Sequence, residues 1–469
     1  MPMASMDLST INLPPSMIDD LNMRDHGLEL IDVDPFYSYI GADGASLLFW
    51  RNLDKTCAEI AAFSPVDAKA YRDFTRDMIG FWRTLAPYLH SNPLRPSVGA
   101  LATMARRGLA NLGSITRAAR TMMASPAATL DAQFESPVLR AALANFAAGS
   151  TAPLDQPGSG LILALMAMQH EWGVARPVGG MGAFADTLAK IGTNHGVVFK
   201  TGCGVRAITL RGGRTAGVEL EDGERIEARD VIGAVDPKTL MLKLLPAEHL
   251  PPAVAADLKG MTVFGSNIAS ARVDLLLERE PTVQTSPERA RMLLPTSMLI
   301  GPSRPDQVRN YVAQCARGIL EDDIPVWAAC PSMLDRTLTP TAEQQGLYVY
   351  VPAVPFRLAH GEHWADRRDE LGEKVVRRLE TVMPDITSII LARSVRTPED
   401  IEGVSGLTGG CMYHADMSLS QMGPWRPVPA LAGYKTGVKG LWHCGAGAHP
   451  MGSVNGISGK LAAKAVLKG

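Results

Sequence analysis

Paired cysteines, long apolar runs and an excess of charge of either sign are all missing from this chain, and each absence excludes a class of protein. The six cysteines (Cys57, Cys203, Cys315, Cys330, Cys411, Cys444) lie far apart with no CxxC pair, which argues against a zinc site and a disulfide framework and fits a reducing, cytoplasmic setting. The longest apolar run, residues 161–168, is far short of the ~20 residues a membrane span requires, though contact with a membrane surface stays open. Residues 1–22 carry Asp7, Asp19 and Asp20 and no basic stretch leading into an apolar one, so no secretory or transit peptide is legible. Lys and Arg total 46 against 48 Asp and Glu, a formal charge of −2 with the basic residues scattered, so nucleic acid is not an expected partner.

What is present is ordinary globular material: 46% hydrophobic and 20% charged residues over 469 positions, roughly three times a ~150-residue domain. Apolar positions at Tyr71, Phe74, Met78, Phe81, Trp82 and Leu85 follow helical spacing and predict a helix over 67–89. Further helices are expected at 98–110, 114–123 and 137–148. From 178 the texture changes. A helix after the turn Gly179-Gly180-Met181-Gly182 leads to a strand at 197–201, then to a meander of strands at 205–210, 215–220 and 225–235. Residues 261–395 alternate strands (267–276, 347–351) with helices (304–320, 364–383), and a strand at 441–444 runs into a glycine-rich loop and a last helix.

That last stretch is the most informative. Gly445, Gly447, Gly452, Gly456 and Gly459 follow a strand into a turn and a helix start, where backbone N–H groups can approach a ligand and the helix dipole favours negative charge. The glycines are equally explained by close helix-on-sheet packing. Together with Leu407-Thr408-Gly409-Gly410, Arg426-Pro427-Val428-Pro429, Pro177-Val178-Gly179-Gly180-Met181-Gly182, Ala234-Val235-Asp236-Pro237 and His26-Gly27-Leu28-Glu29-Leu30, this block resembles the phytoene-desaturase-like FAD-dependent oxidoreductases over nearly the whole chain.

The resemblance implies an α/β fold: a Rossmann-like FAD/NAD(P)-binding layer of the glutathione-reductase type, incomplete at its N-terminus, interleaved with an α+β substrate domain. Residues 1–34, 178–245 and 400–469 would form the FAD-binding layer; 35–177 would be the helical and 246–399 the mixed part of the substrate domain. The family's opening GxGxxG does not occur in residues 1–33. Either the start is internal to a longer protein, or the chain lacks the nucleotide unit and binds FAD poorly or uses the scaffold otherwise. A cofactor-free isomerase or lyase, or a non-catalytic binding or assembly protein, is the rival reading. The expected partners are an apolar small molecule, a peripheral membrane contact, and either a second copy or a chain supplying the missing unit.

Carried over by position, Gly445, Gly447, Gly452, Ser453, Val454, Asn455 and Gly456 would face FAD, with Ser453 to Asn455 offering backbone donors to its pyrimidine edge. Val205 matches a position that brackets the adenine, and Ala234 and Asp236 a strand end beside the pyrophosphate. His449, His414 and Tyr413 are the catalytic candidates; an imidazole near a flavin can stabilise reduced flavin or carry a proton, or simply fix its loop. Desaturation, saturation or isomerisation of C–C bonds would need mainly an apolar tunnel, consistent with no visible catalytic dyad. Met104, Met122, Met123, Met166 and Met168 could line it, although core filling is the more ordinary use of such residues.

Overall fold

The computed structural model describes residues 13–468; residues 1–12 of the expected 1–34 segment and Gly469 lie outside the described residues. Helix α1 (Pro65–Leu89) begins where Ser64 accepts a hydrogen bond from the Asp67 N–H and proline occupies the first turn. It buries Tyr71, Phe74, Met78 and Phe81, the face its spacing predicts. Next come α2 (Val98–Ala110), capped by Ser97, and α3 (Leu112–Met123), followed by α4 (Leu161–Trp172), nine of whose twelve residues are buried.

A seven-stranded sheet is covered by further helices, among them Pro137–Ala147, Pro305–Ala316 and Trp364–Glu380. In spatial order its strands are Ile390–Arg396, Ile268–Leu277, Gln345–Pro355, Val326–Ala329, Ser297–Ile300, Tyr37–Ile40 and Ser46–Phe49. All neighbours are antiparallel except Ser297–Ile300 with Tyr37–Ile40. Two of the strands therefore come from residues 37–49, within the segment expected to be helical. One continuous core joins the sheet to the helices through residues such as Phe36, Tyr71, Phe146, Val273 and Trp364.

The second layer is built from smaller pieces. Helix α5 (Met181–Asn194) follows the glycine turn as expected. The strand expected at 197–201 does not form. Val197 donates back to the Gly192 carbonyl, and Val198 (85% exposed) and Phe199 have no strand beside them among the described residues, so an apolar run has no ladder to join. The strand expected at 225–235 is two: Arg225–Glu227 completes a three-stranded meander, whereas β1 (Val231–Gly233) leaves it to pair in parallel with β2 (Leu441–His443). Helix α6 (Ile457–Leu467) packs its Ile457, Leu461 and Ala462 on Tyr434, Cys444 and Ala448.

Candidate functional site

Strand β2 delivers the chain into a loop that is pressed against three other segments, and its glycines are what permit the approach. A Cβ on Gly445 would lie 2.9 Å from the Ala234 carbonyl oxygen; on Gly447, 3.0 Å from Pro237 and 3.2 Å from both His414 and His443; on Gly452, 2.7 Å from the Tyr413 Cα. Gly456, at φ +69°, meets Met17. These four glycines thus answer to packing of the chain on itself, and that packing gathers 234–237, 413–414 and 445–456 into one place.

Inside the loop, the Asn455 side chain accepts from the Ile457 N–H (2.9 Å) and donates to the Met451 carbonyl and Ser453 Oγ, and its own N–H is spent on the Ser453 carbonyl. Asn455 is therefore a brace of the loop. Ser453 and Val454 lie outward, Val454 38% exposed. Helix α6 carries no acidic residue in its first turn, and the Asn455 side chain takes up the N–H of its first residue, Ile457.

Asp236, at the end of β1, ties that strand to the 408–410 turn: its carboxylate accepts from the backbone of Lys238 and Thr239 and from the hydroxyl and N–H of Thr408. Burial works to raise its pKa, but the hydrogen bonds from Thr239 and Thr408 outweigh it and hold the carboxyl below its ordinary value. It is a structural clasp between β1 and that turn.

Arg426 is the residue that sequence reasoning missed. It is wholly buried, and its guanidinium donates to the carbonyls of Tyr413 (2.7 Å), Ala446 (2.9 Å), Gln421 (3.1 Å) and Asp416 (3.3 Å). Burial brings its pKa down to about 10, leaving it a cation at neutral pH whose charge is met by backbone dipoles. It joins the 413–422 segment to the 445–447 loop. The only signal in the sequence is an arginine before Pro427, which says nothing about carbonyls five to twenty residues away.

Three histidines surround this arginine. His443 and His449 are 0% and 1% exposed, neither makes a well-formed hydrogen bond through either ring nitrogen, and Nδ1 of His414 is likewise unpaired. Burial pushes all three down to about 4, so all are neutral at pH 7. His449 is packed edge-on against Tyr88, 5.2 Å between ring centres. These ring nitrogens are buried polar groups that a bound ligand could still pair. Val205 pairs with Leu220 in the three-stranded sheet and takes no part in the contacts that tie this cluster together.

A cavity of 350 Å³ adjoins the loop at Met451, Gly452 and Tyr413. Leu161, Ile162 and Leu165 of α4, with Met417 and Leu419, form its apolar wall; Ser150, Thr151, Gln156, Ser266, Ser418 and Ser420 line the rest, and Asp416 is its one charged residue. Of the three catalytic candidates only Tyr413 lines it. Nor do the five helical methionines: Met166 and Met168 are core residues and Met123 is exposed, while the cavity's methionines, Met417 and Met451, come from loops.

Residues 15–306 match the model of the flavin-containing amine oxidoreductases, well over half the chain. The chain belongs to that family. It is a flavin-dependent oxidoreductase, and FAD is the cofactor that the unpaired ring nitrogens fit. The chain is 30% identical to pyridine nucleotide-disulfide oxidoreductase domain-containing protein 2 of Rattus norvegicus, over 97% of this chain and 83% of that one. It is 22% identical to the neurosporene-forming phytoene desaturase of Rhodobacter capsulatus, over 94% and 80%. Among solved structures, an oxidoreductase from Methanosarcina mazei superposes with a TM-score of 0.56 at 16% identity, covering 97% of this chain and 86% of that one. A putrescine oxidase superposes with 0.57 at 14%, covering 100% and 88%. These two establish the fold.

Proposed function

We propose that this flavin-dependent enzyme desaturates, saturates or isomerises C–C double bonds of an apolar small molecule. The observation that carries the reading is the cavity wall of Leu161, Ile162, Leu165, Met417, Leu419 and Met451 next to Gly452. A wall of that kind gains by excluding water and orienting a hydrocarbon, and it offers no cation to hold an acidic substrate. Bound FAD supplies the two-electron acceptor or donor. The chain's own residues orient the substrate and keep the site dry: α4 gives the rigid side of the wall, and Arg426 fixes the 413–422 segment against the flavin loop. Tyr413 is the one hydroxyl-bearing ring in the wall and the residue in position to hold a proton there.

Amine oxidation is the second reading, favoured by Asp416 in the wall as a counter-ion for a protonated amine. Asp416 accepts one N–H on each oxygen, from Phe264 (2.6 Å) and Gly265 (3.0 Å), which leaves acceptor capacity on both for such an amine. The test has two stages. FAD released on denaturation is measured against protein; then the oxidised protein is mixed anaerobically with a conjugated polyene, an unsaturated fatty acid or a primary amine, and the reduced protein with the polyene or the fatty acid, while flavin absorbance is followed. Flavin bleached or restored by the apolar compounds alone upholds the proposal. Bleaching by the amine alone replaces it with the second reading.

A further inference from the structure

We propose that helices α2 and α3 form a docking surface for a bilayer rich in anionic lipid. Charges balance over the whole chain, but not here: between Asp77 and Asp131 there is no acidic residue at all, against Arg83, Arg95, Arg106, Arg107, Arg117 and Arg120. Arg83 and Arg117 turn back to Glu171 and Asp77, and Arg107 to the Arg83 carbonyl. Arg95, Arg106 and Arg120 are exposed and make no ion pair among the described residues.

Burial singles out the same face. Helix α2 runs for 13 residues without burying one, although it carries the apolar side chains that usually seat a helix on a core. Val98 is 83% exposed and Leu109 80%; Leu101, Leu112 and Met123 continue the strip at 48%, 63% and 68%. Apolar residues left in water beside unpaired arginines are the composition of a helix that lies in a membrane interface, its apolar side among the acyl chains and its cations among the headgroups. The positive field extends past α2. Arg95 shares a 570 Å³ groove with Lys435, Lys464 and Lys468, and no acidic residue lines it.

The charge also decides between occupants. A second copy placed on this face by two-fold symmetry would set arginine against arginine, whereas an anionic headgroup layer neutralises them. The surface reaches the cavity: the carbonyls of Met123 and Ala124, at the end of α3, accept from the N–H of Gly158, and Gly158 and Ser159 line the cavity wall. If the substrate is apolar, as proposed above, this seat shortens its path from bilayer to site. That consequence rests on the preceding reading; the docking itself does not.

The test is flotation of the whole protein with vesicles of phosphatidylcholine containing phosphatidylglycerol, against phosphatidylcholine alone, with no substrate present. The wild-type chain is expected to float with the anionic vesicles, less so as salt is raised. Val98→Glu/Leu109→Glu and Arg95→Gln/Arg106→Gln/Arg120→Gln alter exposed positions only, so their melting curves should match wild type. Their partitioning is expected to fall by about tenfold or more. Wild type left unfloated by anionic vesicles, or variants that float as it does, overturns the proposal. A wild-type dimer in light scattering that Leu109→Glu converts to a monomer, without flotation, also overturns it and assigns the face to a second copy.

Discussion

Replacing His443 with methionine tests the electrostatics of the buried histidine cluster directly. The His443 imidazole is wholly buried in β2; burial, reinforced by the neighbouring His414, takes its pKa from 6.5 to about 4. Between those values the unfolded chain binds a proton that the folded chain refuses. The group's contribution to stability is thus complete above pH 6.5 and disappears as pH falls toward 4, a difference of about 3 kcal/mol over the whole window and about 2 kcal/mol by pH 5. Methionine has nearly the same volume and no charge to acquire, so His443→Met should be about 2 kcal/mol less sensitive than wild type to a change from pH 7 to pH 5. At pH 7 it removes two ring nitrogens that make no well-formed hydrogen bond, and its stability should lie within about 1 kcal/mol of wild type. Urea unfolding at several pH values measures both. An unchanged pH dependence would refute the reasoning, because the imidazole would then be solvated or paired. A loss of several kcal/mol at pH 7 would show the same thing from the other side.

Arg426→Gln leaves several buried carbonyls without a donor and should cost about 3 kcal/mol or more, read as a lower melting temperature. Arg426→Lys keeps the charge but cannot span Tyr413 and Ala446 together, so it should lower bound FAD per chain more than it lowers the melting temperature. Gly452→Ala sets a methyl 2.7 Å from the Tyr413 Cα, where only backbone can yield; about 1–3 kcal/mol of stability should be lost, and binding of apolar ligands, followed by flavin absorbance, should weaken. The Asp236 carboxyl, pulled below its ordinary value by Thr239 and Thr408 despite burial, stabilises the fold above pH 3.8 and loses that effect as pH falls through its depressed value. Asp236→Asn should therefore be about 1–2 kcal/mol weaker at pH 7 and approach wild type in strong acid, which acid titration of the unfolding signal will show.

What the sequence made legible was local. The helix over 98–110 is present as Val98–Ala110 because Ser97, the apolar spacing and the break at Asn111 all lie within one short window. The strand, glycine turn and last helix around 441–467 are likewise a local pattern. Periodicity does not, however, say what an apolar face meets: α2 has the pattern of a core helix and buries nothing. Residues 197–201 fail for the complementary reason, since a strand is a relation between two segments and Val198 has no partner among those described.

The site divides in the same way. The glycines of 445–456 could be found by composition, but composition could not show the self-packing that the neighbouring backbone of Ala234 and Tyr413 requires of them. Arg426 and the cavity wall escaped because each is assembled from separate segments: the guanidinium donates to carbonyls at four positions, and the wall joins α4 to loops at 413–420 and 451–452. Helical spacing drew attention to Met166 and Met168, which fill the core because a regular helix presents its methionines to a packed neighbour. Met417 and Met451 reach the cavity because loops have no such neighbour, so the irregular, unperiodic segments of this chain are the ones that shape what it binds.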